Sequence, residues 1–139
     1  MKWCKRLSLS VPVLLTALLF FGCATSPPAN VKAVDCDADK IKWDVTEKVD
    51  IVNFSCSLGK HGVDKALIYR LELTNTTDTP LRYRVKIFLN DMNKAAGHLV
   101  PRKGKPPVVA PGKTVKIKIP FIKTESLSNN LDVIVNTVD

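Results

Sequence analysis

Leu67-Ile68-Tyr69-Arg70-Leu71-Glu72-Leu73-Thr74 and, after a polar break, Leu81-Arg82-Tyr83-Arg84-Val85-Lys86-Ile87-Phe88-Leu89 decide how this chain folds. In each stretch large apolar side chains recur at every second position, and the intervening residues are mostly polar or charged. That is the period of a strand with one face buried and one face wet; a helix would repeat at three and four. The link Asn75-Thr76-Thr77-Asp78-Thr79-Pro80 is rich in turn formers, so the economical reading joins the two stretches as a hairpin. The same period extends outward. Upstream, Ile41, Trp43 and Val45 alternate with Lys42 and Asp44. Val49 and Ile51 fall out of step with Phe54, Cys56 and Leu58, which places a bulge near Val52. Downstream, Asn90-Asp91-Met92-Asn93 with Gly97 reads as a turn, and residues 101–111 read as a long loop holding Arg102, Lys103 and Lys105. Ala110-Pro111-Gly112-Lys113 launches a further strand with Val115, Ile117, Ile119 and Phe121 inward and Lys116 and Lys118 outward. Leu131, Val133 and Val135 supply the last one.

Six or seven short strands with turns between them and no sustained helical period argue for an all-β domain over residues 31–139. The expected fold is an antiparallel β-sandwich, immunoglobulin-like in size, whose two sheets bury both apolar rows. Composition agrees. A chain of 139 residues with 45% hydrophobic and 24% charged residues, nine prolines and six glycines is no collagen, coiled coil or disordered tail. A doubly wound nucleotide fold needs crossover helices and a Gly-rich phosphate loop, and neither is legible.

The N-terminal stretch is an address and is set aside before fold reasoning. Lys2, Lys5 and Arg6 precede an almost wholly apolar run from Leu7 to Phe21, and Gly22-Cys23 follows. About 15 apolar residues reach only ~23 Å as a helix, short of the ~30 Å hydrocarbon core, so a signal peptide over residues 1–22 is the better reading than a permanent membrane helix. Leu19-Phe20-Phe21-Gly22-Cys23 resembles the lipobox of bacterial lipoproteins, which implies that Cys23 becomes the lipid-modified N-terminus. The alternative is a plain thiol beside a conventional cleavage site. Ala24 rather than Asp after that cysteine resembles the sorting signal of outer-membrane lipoproteins. Residues 23–30 then form the lipidated cysteine and an extended, Pro-containing tether. The 21 basic residues outnumber the 13 acidic ones by enough that loss of the signal leaves the chain basic.

Removal of Cys4 with the signal and use of Cys23 for lipid leave Cys36 and Cys56. An even pair in an oxidising compartment reads as a disulfide, the alternative being two buried free thiols, since sequence does not show whether their Cα atoms come within bonding range. Two cysteines with His61 and His98 scattered apart make no metal set, and none is expected. Asp35-Cys36-Asp37-Ala38-Asp39 has the alternate acids of a calcium loop, but Lys40 and Thr46 stand where the Gly and Glu belong. No motif names a catalytic mechanism or a cofactor, so a non-enzyme is expected.

Leu73-x-Asn75-x-x-x-x-Pro80, Tyr83-Arg84-Val85, Asp91 and the proline-led strand at Ala110-Pro111-Gly112-Lys113 resemble the YcfL-like family of small outer-membrane lipoproteins. That resemblance, over about residues 71–121, implies a short antiparallel sandwich on a lipid anchor with no catalytic residues to carry over. The remaining functional signal is basic. Arg82, Arg84 and Lys86 share the outward side of one strand and Lys116 and Lys118 that of another. One reading is a solvated face that deters edge-to-edge pairing; the other is a face for an anionic partner near the membrane. Nucleic acid is not expected in an exported compartment without stacking aromatics on those strands. Two function classes follow: a lipid-anchored binding or scaffolding module for envelope proteins or anionic envelope polymers, and a periplasmic inhibitor of an envelope-active enzyme. For the latter, Phe54-Ser55-Cys56 resembles the first strand of the lysozyme-inhibitor lipoproteins, whose Ser-Gly-x-Arg-Tyr loop is missing here.

Overall fold

A computed structural model describes residues 26–138. The expected signal peptide and the lipidation site Cys23 lie outside the described residues. Every regular element is a strand: β1 (Val34–Asp35), β2 (Lys40–Val45), β3 (Val49–His61), β4 (Asp64–Asn75), β5 (Arg82–Leu89), β6 (Lys94–Val100), β7 (Thr114–Ile122) and β8 (Asn130–Val138). They form two four-stranded sheets, ordered β1-β3-β4-β7 and β2-β8-β5-β6. One core joins the two layers. Ile51, Phe54, Leu67, Tyr69, Leu71 and Leu73 of the first sheet meet Tyr83, Val85, Ile87, Leu89, Leu131, Val133 and Val135 of the second. These are the period-two apolar rows of the sequence, and their burial is the main force holding the sheets together.

An aromatic row crosses this core. Trp43 meets Phe54 edge-on at 5.1 Å between centroids, Phe54 stacks on Tyr69 at 5.6 Å, and Tyr69 meets Phe121 edge-on at 5.6 Å. Such geometries add roughly 0.5–1.5 kcal/mol per pair beyond area burial. Among the described residues the Tyr69 hydroxyl has no hydrogen-bond partner, and its pKa is pushed up first by burial and second by the Asp91 charge. Cys36 and Cys56 are joined in a disulfide with Cα atoms 5.0 Å apart, tying the segment after β1 to the middle of β3.

The expected slip near Val52 is present as a shift in the β3–β4 ladder between Ile51 and Asn53. At the far end of that ladder His61 pairs with Asp64 across Gly62 and Val63. Gly62 has φ 65°, and Gly at the first central position of a two-residue loop is the requirement of a type II′ hairpin turn. Val63 at the tip is 97% exposed.

Four features differ from the sequence expectation. First, β4 and β5 are not a hairpin: β4 pairs with β3 and β7, while β5 pairs with β6 and β8. The cause is Asn75, which is fully buried and whose carboxamide donates to Thr79 O at 2.8 Å and Val109 O at 2.9 Å while its Oδ1 accepts from Thr77 N at 2.9 Å. These bonds hold the connection as a crossover between layers. Second, the strands number eight rather than six or seven. Third, β6 occupies residues read as turn. Lys94-Ala95-Ala96-Gly97 carries no large alternating apolar side chains, and its ladder with β5 forms through backbone groups that composition does not reveal. Fourth, the sandwich is not purely antiparallel, since β1 runs parallel to β3 and β2 parallel to β8. Both parallel pairs bring together segments distant in sequence, which local pattern cannot anticipate.

Candidate functional site

The sandwich has two lateral edges, one where β1 lies over β2 and one where β6 lies over β7. At the first, the inward residues Ile41 and Trp43 are half-buried. An apolar groove of about 790 Å³ there is lined by Val34, Cys36, Ala38, Ile41 and Trp43, and the incoming chain at Ser26, Pro27 and Pro28 forms one of its walls.

The second edge is open. On β7 the phase of hydrogen bonding is fixed at both ends: Asn75 N donates to Lys113 O at 3.1 Å and Lys123 N donates to Lys65 O at 2.8 Å. An antiparallel ladder alternates along each strand, so Val115, Ile117 and Ile119 exchange bonds with β4 while Thr114, Lys116 and Lys118 turn their N–H and C=O groups outward. Pro120 follows in the same phase, where its missing N–H removes no ladder bond.

Side chains complete the site. Ile119 and Phe121 on the inward face of β7 are buried, whereas Val115 and Ile117 on that same face are only half-buried. β6 of the opposite sheet lies close beside β7 and ends at Val100, where the chain enters the long loop. The result is a cleft of about 440 Å³ with Val100, Pro101, Val115 and Ile117 as its apolar part and Arg102, Lys116 and Lys118 as its cations. Lys116 forms an ion pair with Glu72 at 3.0 Å, and Lys118 has no carboxylate within ion-pair distance among the described residues. Arg102 Nη2 lies 2.8 Å from Nδ1 of His98. Burial first, and the Arg102 charge second, hold the His98 imidazole below its usual pKa.

The basic residues singled out in the sequence do not share one surface. Lys116 and Lys118 belong to β7 of the first sheet, whereas Arg82, Arg84 and Lys86 belong to β5 of the second. Arg84 and Lys86 are exposed beside Ile134 and Asn136 in a shallow depression on the opposite broad face. Arg82 is half-buried, and its Nε has no partner. The reason is the crossover at Asn75, which sends β5 to the other layer. Sequence reasoning treats Arg102 as one of three loop cations; its place beside β7 in the lining of one cleft has no signal in the spacing.

No protein-family model, curated protein or solved structure matches this chain. Function therefore has to be argued from the site. Among the described residues no three His, Cys, Asp or Glu side chains are placed to hold a metal ion, and no helix is long and apolar enough to cross a membrane. The acids at Asp35, Asp37 and Asp39 are exposed. Asp91 accepts from Ser128 Oγ and, at 2.8 Å, from Asn129 N, bonds that lower its pKa and clasp the β5–β6 turn to the segment before β8. What the β6–β7 edge offers chemically is a row of free backbone donors and acceptors, flanked by cations and backed by uncovered apolar surface.

Proposed function

We propose that this chain is a lipid-anchored lipoprotein of the bacterial cell envelope, held to the outer membrane through Cys23 and facing the periplasm. It acts as a non-catalytic binding or scaffolding module for envelope proteins or anionic envelope polymers. The anchor reading rests on the basic start, the short apolar run and Gly22-Cys23. The observation that carries the binding reading is the open β7 edge, whose unpaired backbone groups lie between Lys116, Lys118 and Arg102. An edge strand of this kind is a template for association. The two-sheet all-β fold and the resemblance to the YcfL-like lipoproteins fit the same reading, in which the sandwich is immunoglobulin-like.

The anchor test is Cys23→Ser, which should release the protein from the membrane fraction and abolish incorporation of a palmitate analogue; retention through carbonate extraction would favour an uncleaved helix. For the binding surface, the chain from residue 23 onward should bind anionic vesicles or lipopolysaccharide in low salt. Binding should weaken toward 0.5 M salt, where the Debye length is about 4 Å. Equal binding to neutral vesicles would remove the anionic partner.

One observation favours a second reading, the periplasmic inhibitor. The β3–β4 hairpin presents Val63 at its tip, 97% exposed, as an inhibitory loop presents its plug. A lytic assay decides it: inhibition lost on Val63→Asp supports a plug, and unimpaired lysis excludes one for that enzyme.

A further inference from the structure

We infer that β7 accepts an extended strand of another protein, one that alternates acidic and apolar side chains, along Thr114 to Lys118. This deepens the binding reading above and rests on it. Strand addition needs a free edge, and β7 has one: Thr114, Lys116 and Lys118 point N–H and C=O away from β4. Pro120, with no N–H to offer, ends the pairing stretch. Side-chain alternation then sets the guest's composition. On the face toward the cleft, Val115 and Ile117 are half-buried and take apolar partners. On the other face, Lys116, which pairs with Glu72, and Lys118 take acidic ones, while Arg102 stands on the cleft side. The same lysines exclude a second copy of this chain, because β7 against β7 sets lysine beside lysine. Two of the three other edges, those at β1 and β2, are poorer hosts. β1 is two residues long, and β2 has Ser26, Pro27 and Pro28 beside it.

All described core residues lie at or after Val31, so the chain from residue 23, with serine there, keeps the whole fold and serves for the test. In that protein the amides of Lys116 and Lys118 should exchange hydrogen rapidly, while those of Ile117 and Ile119 are slow. A peptide of alternating Glu and Val should slow exchange at Lys116 and Lys118 by tenfold or more. A Lys/Val peptide, or the Glu/Val composition in block order, should not. Lys118→Pro removes an outward N–H and no ladder bond, so it should weaken the Glu/Val peptide at least tenfold with the melting temperature held. Should that variant fail to fold, the Lys116→Glu, Lys118→Glu double substitution provides the same decision by switching preference to the Lys/Val peptide. Equal binding of the block-order peptide would reduce the edge to a charge patch. Anionic-vesicle binding without protection by any peptide would make the partner a lipid surface. Either result overturns the strand proposal while leaving the anchor and the anionic-partner readings intact. Slow exchange at Lys116 and Lys118 in the free protein would overturn the register itself.

Discussion

The two lateral edges of this sandwich are built from the same parts and finished differently. Where β1 meets β2, half-buried Ile41 and Trp43 line a groove, a disulfide ties Cys36 to Cys56, and the chain at Pro27 and Pro28 lies alongside. Where β6 meets β7, the inward residues Val115 and Ile117 are half-buried to the same degree, but among the described residues no disulfide or incoming chain closes the edge, and Arg102, Lys116 and Lys118 help line its cleft. A two-layer β fold needs only its central strands buried on one face. Its edges are therefore free to be closed for stability or left open for contact, and this chain does one of each.

Substitutions on the closed side should have the largest effects on stability. Phe54 is fully buried between Trp43 and Tyr69, and Phe54→Ala should cost about 3–5 kcal/mol in urea unfolding. A loss below about 1 kcal/mol would mean that the aromatic row does not secure this edge. Next comes the bridge. Reduction of Cys36–Cys56 releases a loop with a sequence separation of 20, worth about 3 kcal/mol, so the melting temperature should fall by several degrees. Alkylation of the denatured, unreduced chain from residue 23, with serine in place of Cys23, should label no cysteine; two labelled cysteines would refute the bridge.

On the open side the expected effects are smaller and depend on pH. His98 is held below its ordinary pKa of 6.5 by burial and by Arg102. The folded state then binds the proton less readily than the unfolded state. The His98 contribution is thus complete above pH 6.5 and declines as pH falls through that value toward the folded pKa. Between about pH 7 and 5 the protein should lose slightly more stability than His98→Asn does. Parallel curves for the two proteins would show that the imidazole does not feel the guanidinium.

The strands were legible wherever one face is buried and the other wet, because alternation is then imposed by solvent. Leu67 to Leu73 and Tyr83 to Leu89 show this, and the bulge near Val52 announces itself as a break in phase. Sheet membership was not legible. The same Asn75-to-Pro80 composition serves a hairpin or a crossover, and a buried carboxamide bonded to Thr79 and Val109 makes the choice only once Val109 has arrived from far along the chain. β6 was hidden for a different reason: its first four residues, Lys94 to Gly97, carry no large apolar side chain to set a pattern, and the buried Val100 comes only at its end. As for the site, Lys116 and Lys118 stand out as outward lysines, but their separation from Arg84 and Lys86 and the place of Arg102 beside β7 in the lining of one cleft follow from the layer assignment.

The bridge between Cys36 and Cys56 also governs how the molecule bears tension. A pull arriving from the N-terminal side would peel off the Val31 bridge to Ile51 and then the two residues of β1, each held by few bonds. It would stop at Cys36. From there the force passes through the covalent link into Cys56, midway along a strand laddered to β4 on either side of that point. Further extension would have to shear many backbone bonds at once instead of opening them one by one. A chain pulled from this end would therefore give a short length of slack and then hold, with the β6–β7 edge on the far side of the sandwich left undeformed.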